Sequence, residues 1–461
     1  MFESLDITSA YPLFYLLWQL VLLLALLDMT DRRRSPASMI AWFFVIFSLP
    51  YIGVLLYFFL GRRKLAKTPF KADFSHARDD TPSAFSPIET VLHRHGIPPA
   101  TEHNAFELID DGKAAFGALH KAMREAQRSI WLAAYIFDTD EVMRMLIDTL
   151  RRKAQQGVDV RLLIDAVGSA GLYMNPSRLK PLEDAGIKIE FFMPLRPFLR
   201  NTHFNLRLHR KIYLFDDTTV YSGGMNLSRD YFGPDDDPLR WNDLMFRIEG
   251  PAVAYYRRIF ISDWNFSSER IIEETGVVPK PAGKERLQVV PSGPDIATDA
   301  LYDALLNAIF NARERIWIAT PYFIPDETTM HALRIAHIKG VDIRLITPEK
   351  PDHPIFEIAR SSYMREIVEW GGTIAIYAEK MLHAKAILID DDHVIVGTLN
   401  FDQRSLFLNY EVVCIGHAGQ IHTAVDRWMR ALFPKCELGL KPATKRRRLI
   451  ENLGRIVAPQ L

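Results

Sequence analysis

Cysteine is nearly missing from this chain. Cys414 and Cys436 are the only two in 461 residues, and Cys414 stands inside an apolar stretch, so neither a disulfide framework nor a zinc cluster is indicated. Excess charge of either sign is missing too. Lys plus Arg and Asp plus Glu number 56 each, which removes the basic surplus that marks many nucleic-acid binders, and no nucleic-acid partner is expected. Metal-ligand spacing is equally scarce. The run Asp235-Asp236-Asp237 lies between Pro234 and Pro238 and reads as a solvated loop, and the spacing of His203 from His209 does not suit a metal pair.

Long apolar runs, by contrast, are present at the start. Ala10–Leu27 is apolar apart from Gln19, and Met39–Leu60 is apolar apart from Ser48; each is long enough to span a bilayer. Residues 1–64 therefore read as a membrane hairpin with helices at about 10–28 and 39–60. Glu3 and Asp6 precede the first run with no basic group, and no small-x-small site follows, which argues against a cleaved signal peptide. Pro50 and Gly53 interrupt the second run, so a kinked or shallowly inserted hairpin stays open. Arg32, Arg33 and Arg34 occupy the short loop, while Arg62, Arg63, Lys64, Lys67 and Lys71 follow the second run. The positive-inside rule then leans towards a cytoplasmic catalytic part.

Residues 65–104 are polar and rich in proline, and read as an irregular linker. An internal repeat follows. Ser129-Ile-Trp131-Leu-Ala matches Arg315-Ile-Trp317-Ile-Ala, and Gly157-Val-Asp-Val-Arg161 matches Gly340-Val-Asp-Ile-Arg344. Helical stretches at Asp140–Gln155 and Glu327–Lys339 separate these pairs, so each half is βαβ-like, an α/β arrangement with helices on the faces of a sheet. The first domain is placed at 105–278 and the second at 279–437. Residues 438–461 read as a basic amphipathic tail: Lys445, Arg446, Arg447, Arg448 and Arg455 accompany Leu449, Ile450, Leu453, Ile456 and Val457 at helical spacing, which suits anionic lipid. A terminal helix packed on the domain is the alternative.

The repeat carries chemistry. His209-Arg210-Lys211-Ile-Tyr-Leu-Phe-Asp216 returns as His383-Ala384-Lys385-Ala-Ile-Leu-Ile-Asp390, and each copy runs on to Gly223-Gly224-Met225-Asn226 or Gly397-Thr398-Leu399-Asn400 at identical spacing. One such match arises by accident in roughly three chains per hundred, whereas two with the same downstream residues are not accidental. Within each copy His and Lys alternate in period two ahead of an apolar stretch that reads as a buried strand, placing both on the same face of one strand. Each half thus offers an imidazole, an ammonium and a carboxamide. Two histidines can divide the roles of nucleophile and general acid on one phosphodiester. Lys211, Lys385, Asn226 and Asn400 would hold its oxygens, work that elsewhere falls to a metal; no metal and no cofactor is expected. Asp243 and Glu411, downstream of each Asn, are the candidates to orient the imidazoles.

The duplicated motif resembles that of the phospholipase D superfamily, and Asn400-Phe-Asp402-Gln-Arg404-Ser405 through Asn409-Tyr-Glu411 is similar to the bacterial cardiolipin synthases. Ala134-Tyr135-Ile136-Phe137-Asp138, Ser292-Gly293-Pro294-Asp295, Thr320-Pro321-Tyr322-Phe323 and the segment ending at Trp42 extend the likeness over nearly the whole chain. The resemblance implies two phospholipase D-like αβα sandwich domains related by a pseudo-two-fold, preceded by the N-terminal transmembrane helical hairpin, in a bacterial inner (cell) membrane. It implies a phosphatidyltransferase that joins two phosphatidylglycerol molecules into cardiolipin with release of glycerol; phosphodiester hydrolysis is the alternative. On this resemblance His209 is the nucleophile that carries the phosphatidyl group, His383 the acid and then base, and Asp216 and Asp390 hold their motif's backbone. One departure stands out. Lys350-Pro351-Asp352-His353 occupies a place where the family often has Ser-Asp or Asn-Asp.

Overall fold

The computed structural model describes residues 7–31, 36–61, 64, 86–195, 205–274, 276–456 and 458. The charged residues 32–34, 62, 63, 67 and 71, together with His203 and Val457, lie outside the described residues. The chain forms two compact units, one of Met1–Leu65 with Leu195–Asn205 and one of Ala66–Pro194 with Leu206–Leu461.

In the first unit, α1 (Ile7–Asp31) is followed by α2 (Pro36–Ser48) and α3 (Pro50–Leu60). The second apolar run is therefore two helices rather than one. Pro50 opens α3, and Leu49 before it takes φ −129°, because a residue preceding proline is driven out of the helical region. Gly53 lets the two helices close up: a Cβ there would stand 2.6 Å from the Val45 carbonyl oxygen. A small core of Ala25, Met29, Ile46, Val54 and Tyr57 forms, and the Tyr57 hydroxyl donates to Asp28 at 2.6 Å. Among the described residues no helix is long and apolar enough to cross a membrane.

The second unit is built on one continuous sheet. Its first half supplies β1 (Thr101–Ile109), β2 (Ser129–Ala134), β3 (Asp159–Asp165), β4 (Lys188–Phe192), β5 (Ile212–Phe215), β6 (Thr219–Gly223) and β7 (Met245–Glu249). The second half supplies β8 (Glu285–Ser292), β9 (Arg315–Ala319), the short β10 (Phe323–Ile324), β11 (Asp342–Pro348), β12 (Thr373–Tyr377), β13 (Ala386–Ile389), β14 (His393–Gly397), the short β15 (Phe401–Asp402), β16 (Glu411–His417) and β17 (Cys436–Leu438). The strand order is 17-12-11-9-13-14-16-8-1-7-6-5-2-3-4, with β10 and β15 paired apart. Reading outward from the β8–β1 junction, the two halves repeat each other, so the expected pair of domains shares a single sheet.

Each half covers its sheet on both faces, which is why β2, β5 and β13 are wholly buried and, Ser129 apart, apolar. Ile130 and Leu132 face a core with Phe116, Leu119, Met143 and Leu146. Trp131, pointing the other way, stacks on Phe260 with ring centroids 5.4 Å apart. The repeated Gly-Val-Asp turns acquire a reason here: Asp159 accepts the Trp131 indole N–H at 3.0 Å and Asp342 accepts that of Trp317 at 2.9 Å.

Two regions bear on the sequence reading. The expected linker is not irregular throughout, since Pro87–Arg94 is a helix with a Ser86/Glu89 capping box. Its Ile88 and Leu92 are buried in the second half's core, and Glu89 pairs with Arg286 at 2.5 Å. Proline at the first helical position, read as a breaker, is a helix start. The C-terminal segment forms a helix, as its spacing predicts. Its helix, Lys445–Gly454, packs against the helix Pro354–Trp370 through Glu451, which pairs with Arg365 at 2.7 Å, while Leu449, Leu453 and Ile456 remain exposed.

Arg210 staples the halves together. Fully buried, it donates to Asp263 at 2.6 Å, to Asp295 at 3.1 Å, and to the Ser292 and Glu411 carbonyls at 3.1 and 3.0 Å. Arg210→Met removes the charge that faces two buried carboxylates, at a cost of about 3–5 kcal/mol. A lowered thermal unfolding midpoint is expected; an unchanged midpoint would contradict the staple.

Candidate active site

The motif histidines lie just before their strands rather than in them. His209 and Lys211 precede β5, and His383 and Lys385 precede β13. Extended backbone from the opposite half holds each segment. His209 N–H donates to the Tyr410 carbonyl at 2.9 Å, and His383 N–H donates to the Asn242 carbonyl at 2.7 Å. Leu208 bridges Tyr410 and Leu382 bridges Asn242 in parallel. Two identical crossings, one per half, bring the copies to a common seam.

That crossing hands each imidazole a carboxylate from the other half. His209 Nδ1 lies 2.8 and 2.9 Å from the two Glu411 oxygens. His383 Nδ1 lies 2.7 Å from Asp243 Oδ2. All four groups are buried. Neither half contains a complete imidazole–carboxylate pair, so one site needs both.

The two pairs are not equivalent. Thr398 donates its hydroxyl to Glu411, whereas the matching position in the first half is Gly224, where a Cβ would lie 2.1 Å from Asp243 Oδ1. Any side chain at 224 therefore displaces Asp243. Burial raises Glu411, but His209, Lys211 and the Thr398 hydroxyl outweigh it and hold the carboxyl below its usual range. Burial pushes Asp243 up to about 6. Lys385 Nζ presses against the His383 ring, 2.6 Å from Nδ1 and 3.2 Å from Nε2; Lys211 Nζ instead donates to the His209 carbonyl at 2.9 Å.

The remaining motif residues divide into two kinds. Asn226 accepts the Ile136 N–H at 3.2 Å and donates to the Tyr231 hydroxyl at 2.9 Å, which leaves one carboxamide N–H. Asn400 is buried with its Oδ1 unpartnered. Asp216 and Asp390 are tied up elsewhere. Asp216 accepts the backbone N–H groups of Gln127, Arg128 and Ser129 at 2.8, 2.6 and 2.9 Å. Asp390 accepts those of Arg313, Glu314 and Arg315 at 2.9, 2.8 and 3.0 Å. Each pins the start of a neighbouring strand from a residue with positive φ.

Aromatic edges complete the walls. Tyr135 meets His209 with centroids 5.3 Å apart, and Tyr231 and Trp241 each meet His383 at 5.2 Å. These contacts, the cross-pairing and Arg210 were absent from the sequence reading. Arg210 could have drawn notice as a charge between two motif residues ahead of a fully apolar strand.

Burial lowers the His209 imidazole to about 4, Lys211 to about 7 and Lys385 to about 8, and it takes His383 well below its ordinary value. Burial thus disfavours the charged form of both imidazoles. Below about 6 a protonated Asp243 no longer accepts a hydrogen bond from His383, and from about 7 to 8 upward the ammoniums lose the charge that attracts an anion. A bell-shaped kcat/KM profile centred near pH 7 is expected, with Lys211→Arg moving the alkaline limb upward. A profile flat from pH 5 to 9 would contradict these assignments.

A family model described as cardiolipin synthase, PLD-like domain, matches residues 119–264 and 305–433, one match per half. The chain belongs to the cardiolipin synthase family. A second model, phospholipase D-nuclease N-terminal, matches residues 20–62. The major cardiolipin synthase ClsA of Bacillus subtilis is 34% identical over 85% of this chain and 86% of its own. The cardiolipin synthase of Geobacillus thermodenitrificans is 32% identical over 93% and 90%. Among solved structures, phosphatidylserine synthase of Haemophilus influenzae superposes with a TM-score of 0.62 at 14% identity, covering 82% of this chain and all of that one. That last likeness speaks to the fold alone, and the two matches of the PLD-like domain model, one per half, agree with the duplicated strand order.

Proposed function

We propose that this chain transfers a phosphatidyl group from one phosphatidylglycerol to the headgroup hydroxyl of another, giving cardiolipin and glycerol. The cross-held pair of histidines carries the reading, because two imidazoles, each backed at Nδ1 by a carboxylate of the opposite half, can divide the roles of nucleophile and acid on one phosphorus. Glu411 accepts the proton of His209 Nδ1 and leaves the Nε2 lone pair free to attack. At His383 the Asp243 carboxylate accepts the Nδ1 proton and steadies the imidazolium, whose Nε2 proton goes to the leaving alcohol. In the first step a P–N bond to His209 forms, the P–O bond to glycerol breaks, and the glycerol oxygen takes the His383 proton. In the second, a hydroxyl of the next phosphatidylglycerol returns a proton to His383, attacks phosphorus, and the P–N electron pair goes back to His209. Lys211 and Lys385 balance the charge on the non-bridging oxygens throughout, with Asn226 and Asn400 as the amide donors.

Attachment to a bacterial cell membrane fits the surfaces. Leu16, Leu20, Leu23 and Leu27 of α1 and Phe43, Phe44 and Phe47 of α2 are exposed, a density of apolar side chains that suits lipid rather than water. The broken second segment favours a hairpin that inserts with a kink. Exposed Leu449, Leu453 and Ile456 beside Lys445, Arg446 and Arg448 offer anionic lipid a second contact.

Lipid mass spectrometry on the full chain with phosphatidylglycerol vesicles tests the reading. Cardiolipin and glycerol in equal amounts, absent with His209→Ala and with His383→Ala, support it. Phosphatidic acid without cardiolipin would make the protein a hydrolase.

A further inference from the structure

The two halves diverge where the chain leaves β3 and β11. Counting from the paired turns at Asp159 and Asp342, Ser169 in the first half corresponds to Asp352 in the second. Ser169 is spent on the backbone: its hydroxyl accepts the Phe137 N–H at 2.9 Å and donates to the Tyr135 carbonyl at 3.1 Å. Asp352 instead presents a carboxylate. One oxygen accepts the Tyr322 hydroxyl, and the other lies 3.5 Å from His353 Nε2. The Asp352 side chain is 23% exposed and that of His353 65%, so this pair opens to the outside while Tyr322 is buried.

Its position ties it to one histidine only. The Tyr322 ring stands edge-on to His383 with centroids 6.3 Å apart and planes at 85°, and is held from behind by Phe356 at 4.2 Å. The Asp352 charge acts on His383, Lys385 and Tyr231, whereas the position matching Asp352 in the His209 half is the spent Ser169. A carboxylate next to a general acid and base has no part in moving the proton that His383 carries, since Asp243 already holds the imidazole. It can accept a hydrogen bond from a second hydroxyl on the alcohol that reacts there. On a vicinal diol, one oxygen lies at His383 while its neighbour reaches a group just beyond.

We propose that Asp352, fixed by Tyr322 and flanked by His353, is a polyol subsite that selects alcohols bearing a hydroxyl next to the reacting one. The inference rests on the transferase reading above and adds what chooses its alcohol. In the step it serves, the reacting hydroxyl gives its proton to His383 and its oxygen displaces His209 from phosphorus; the neighbouring hydroxyl donates to Asp352 and keeps its proton. Glycerol headgroups fit, and water and monohydroxy alcohols do not.

The test is a competition in one vessel. The full chain in phosphatidylglycerol vesicles receives equal amounts of 1,2-propanediol and 1-propanol, and the ratio of the two phosphatidyl products is read by mass spectrometry. Because both products come from the same enzyme population, loss of folded protein cancels. The intact chain should favour the diol by about tenfold or more; Asp352→Asn should bring the ratio close to one, and Tyr322→Phe, which frees the carboxylate without removing it, should lower it part-way. A ratio unchanged in Asp352→Asn, or no diol preference in the intact chain, overturns the subsite. Failure of the intact chain to form either product, with phosphatidic acid as the sole result, overturns the transferase reading itself and the subsite with it.

Discussion

Glu411→Gln is expected to lower kcat by about two to four orders of magnitude with little change in KM. A glutamine can still touch His209, but it carries no charge to steady the imidazolium that forms when Nε2 bonds to phosphorus. Its amide also competes with the required tautomer, because an N–H directed at Nδ1 moves the imidazole proton to Nε2 and removes the attacking lone pair. The Thr398 hydroxyl keeps its own place through the Val412 backbone, accepting Val412 N–H at 3.0 Å, so the substitution acts on charge and tautomer more than on shape. Asp243→Asn should cost less, since Asp243 is held up to about 6 by burial and Lys385 already stands against His383. Steady-state kinetics on both variants decide the order; equal losses, or a loss confined to KM, would contradict the unequal roles assigned to the two pairs.

The second large effect separates the histidines. With phosphatidylglycerol, His383→Ala should lose about two to four orders of magnitude in turnover, because an alkoxide leaves poorly without an acid. With a phosphatidyl ester of p-nitrophenol the need for an acid disappears. His383→Ala should then release a burst of nitrophenol matching the amount of enzyme and stall, since the base for the second step is missing as well. His209→Ala should show no burst with either lipid. A burst in His209→Ala, or none in His383→Ala, would reverse the assignment.

The residues that meet at the seam were legible because their spacing repeats and because apolar strands follow both copies. Asp140–Gln155 and Glu327–Lys339 were legible as helices by the same physics, periodic burial on one face; the structure gives Glu141–Gln155 and Glu327–Ile338. What pairs with what was not. Glu411 lies 202 residues from His209 and reaches it across the seam, and only the fold decides that each carboxylate serves the opposite half. Arg210 and Ala384 occupy the same motif position, yet one is a buried staple between halves. Local pattern does not show whether Asp263 and Asp295 will converge on it. Ser86–Arg94 was read as linker because prolines surround it, although Pro87 begins a helix whose Ile88 and Leu92 enter a distant core.

In the proposed mechanism both halves build one site in which His209 carries the phosphatidyl group. Peptide mapping by mass spectrometry of His383→Ala, quenched at alkaline pH during the nitrophenol burst, tests it most directly. A phosphatidyl adduct on the peptide that contains His209 is expected. Nitrophenol release with that peptide unmodified would contradict it.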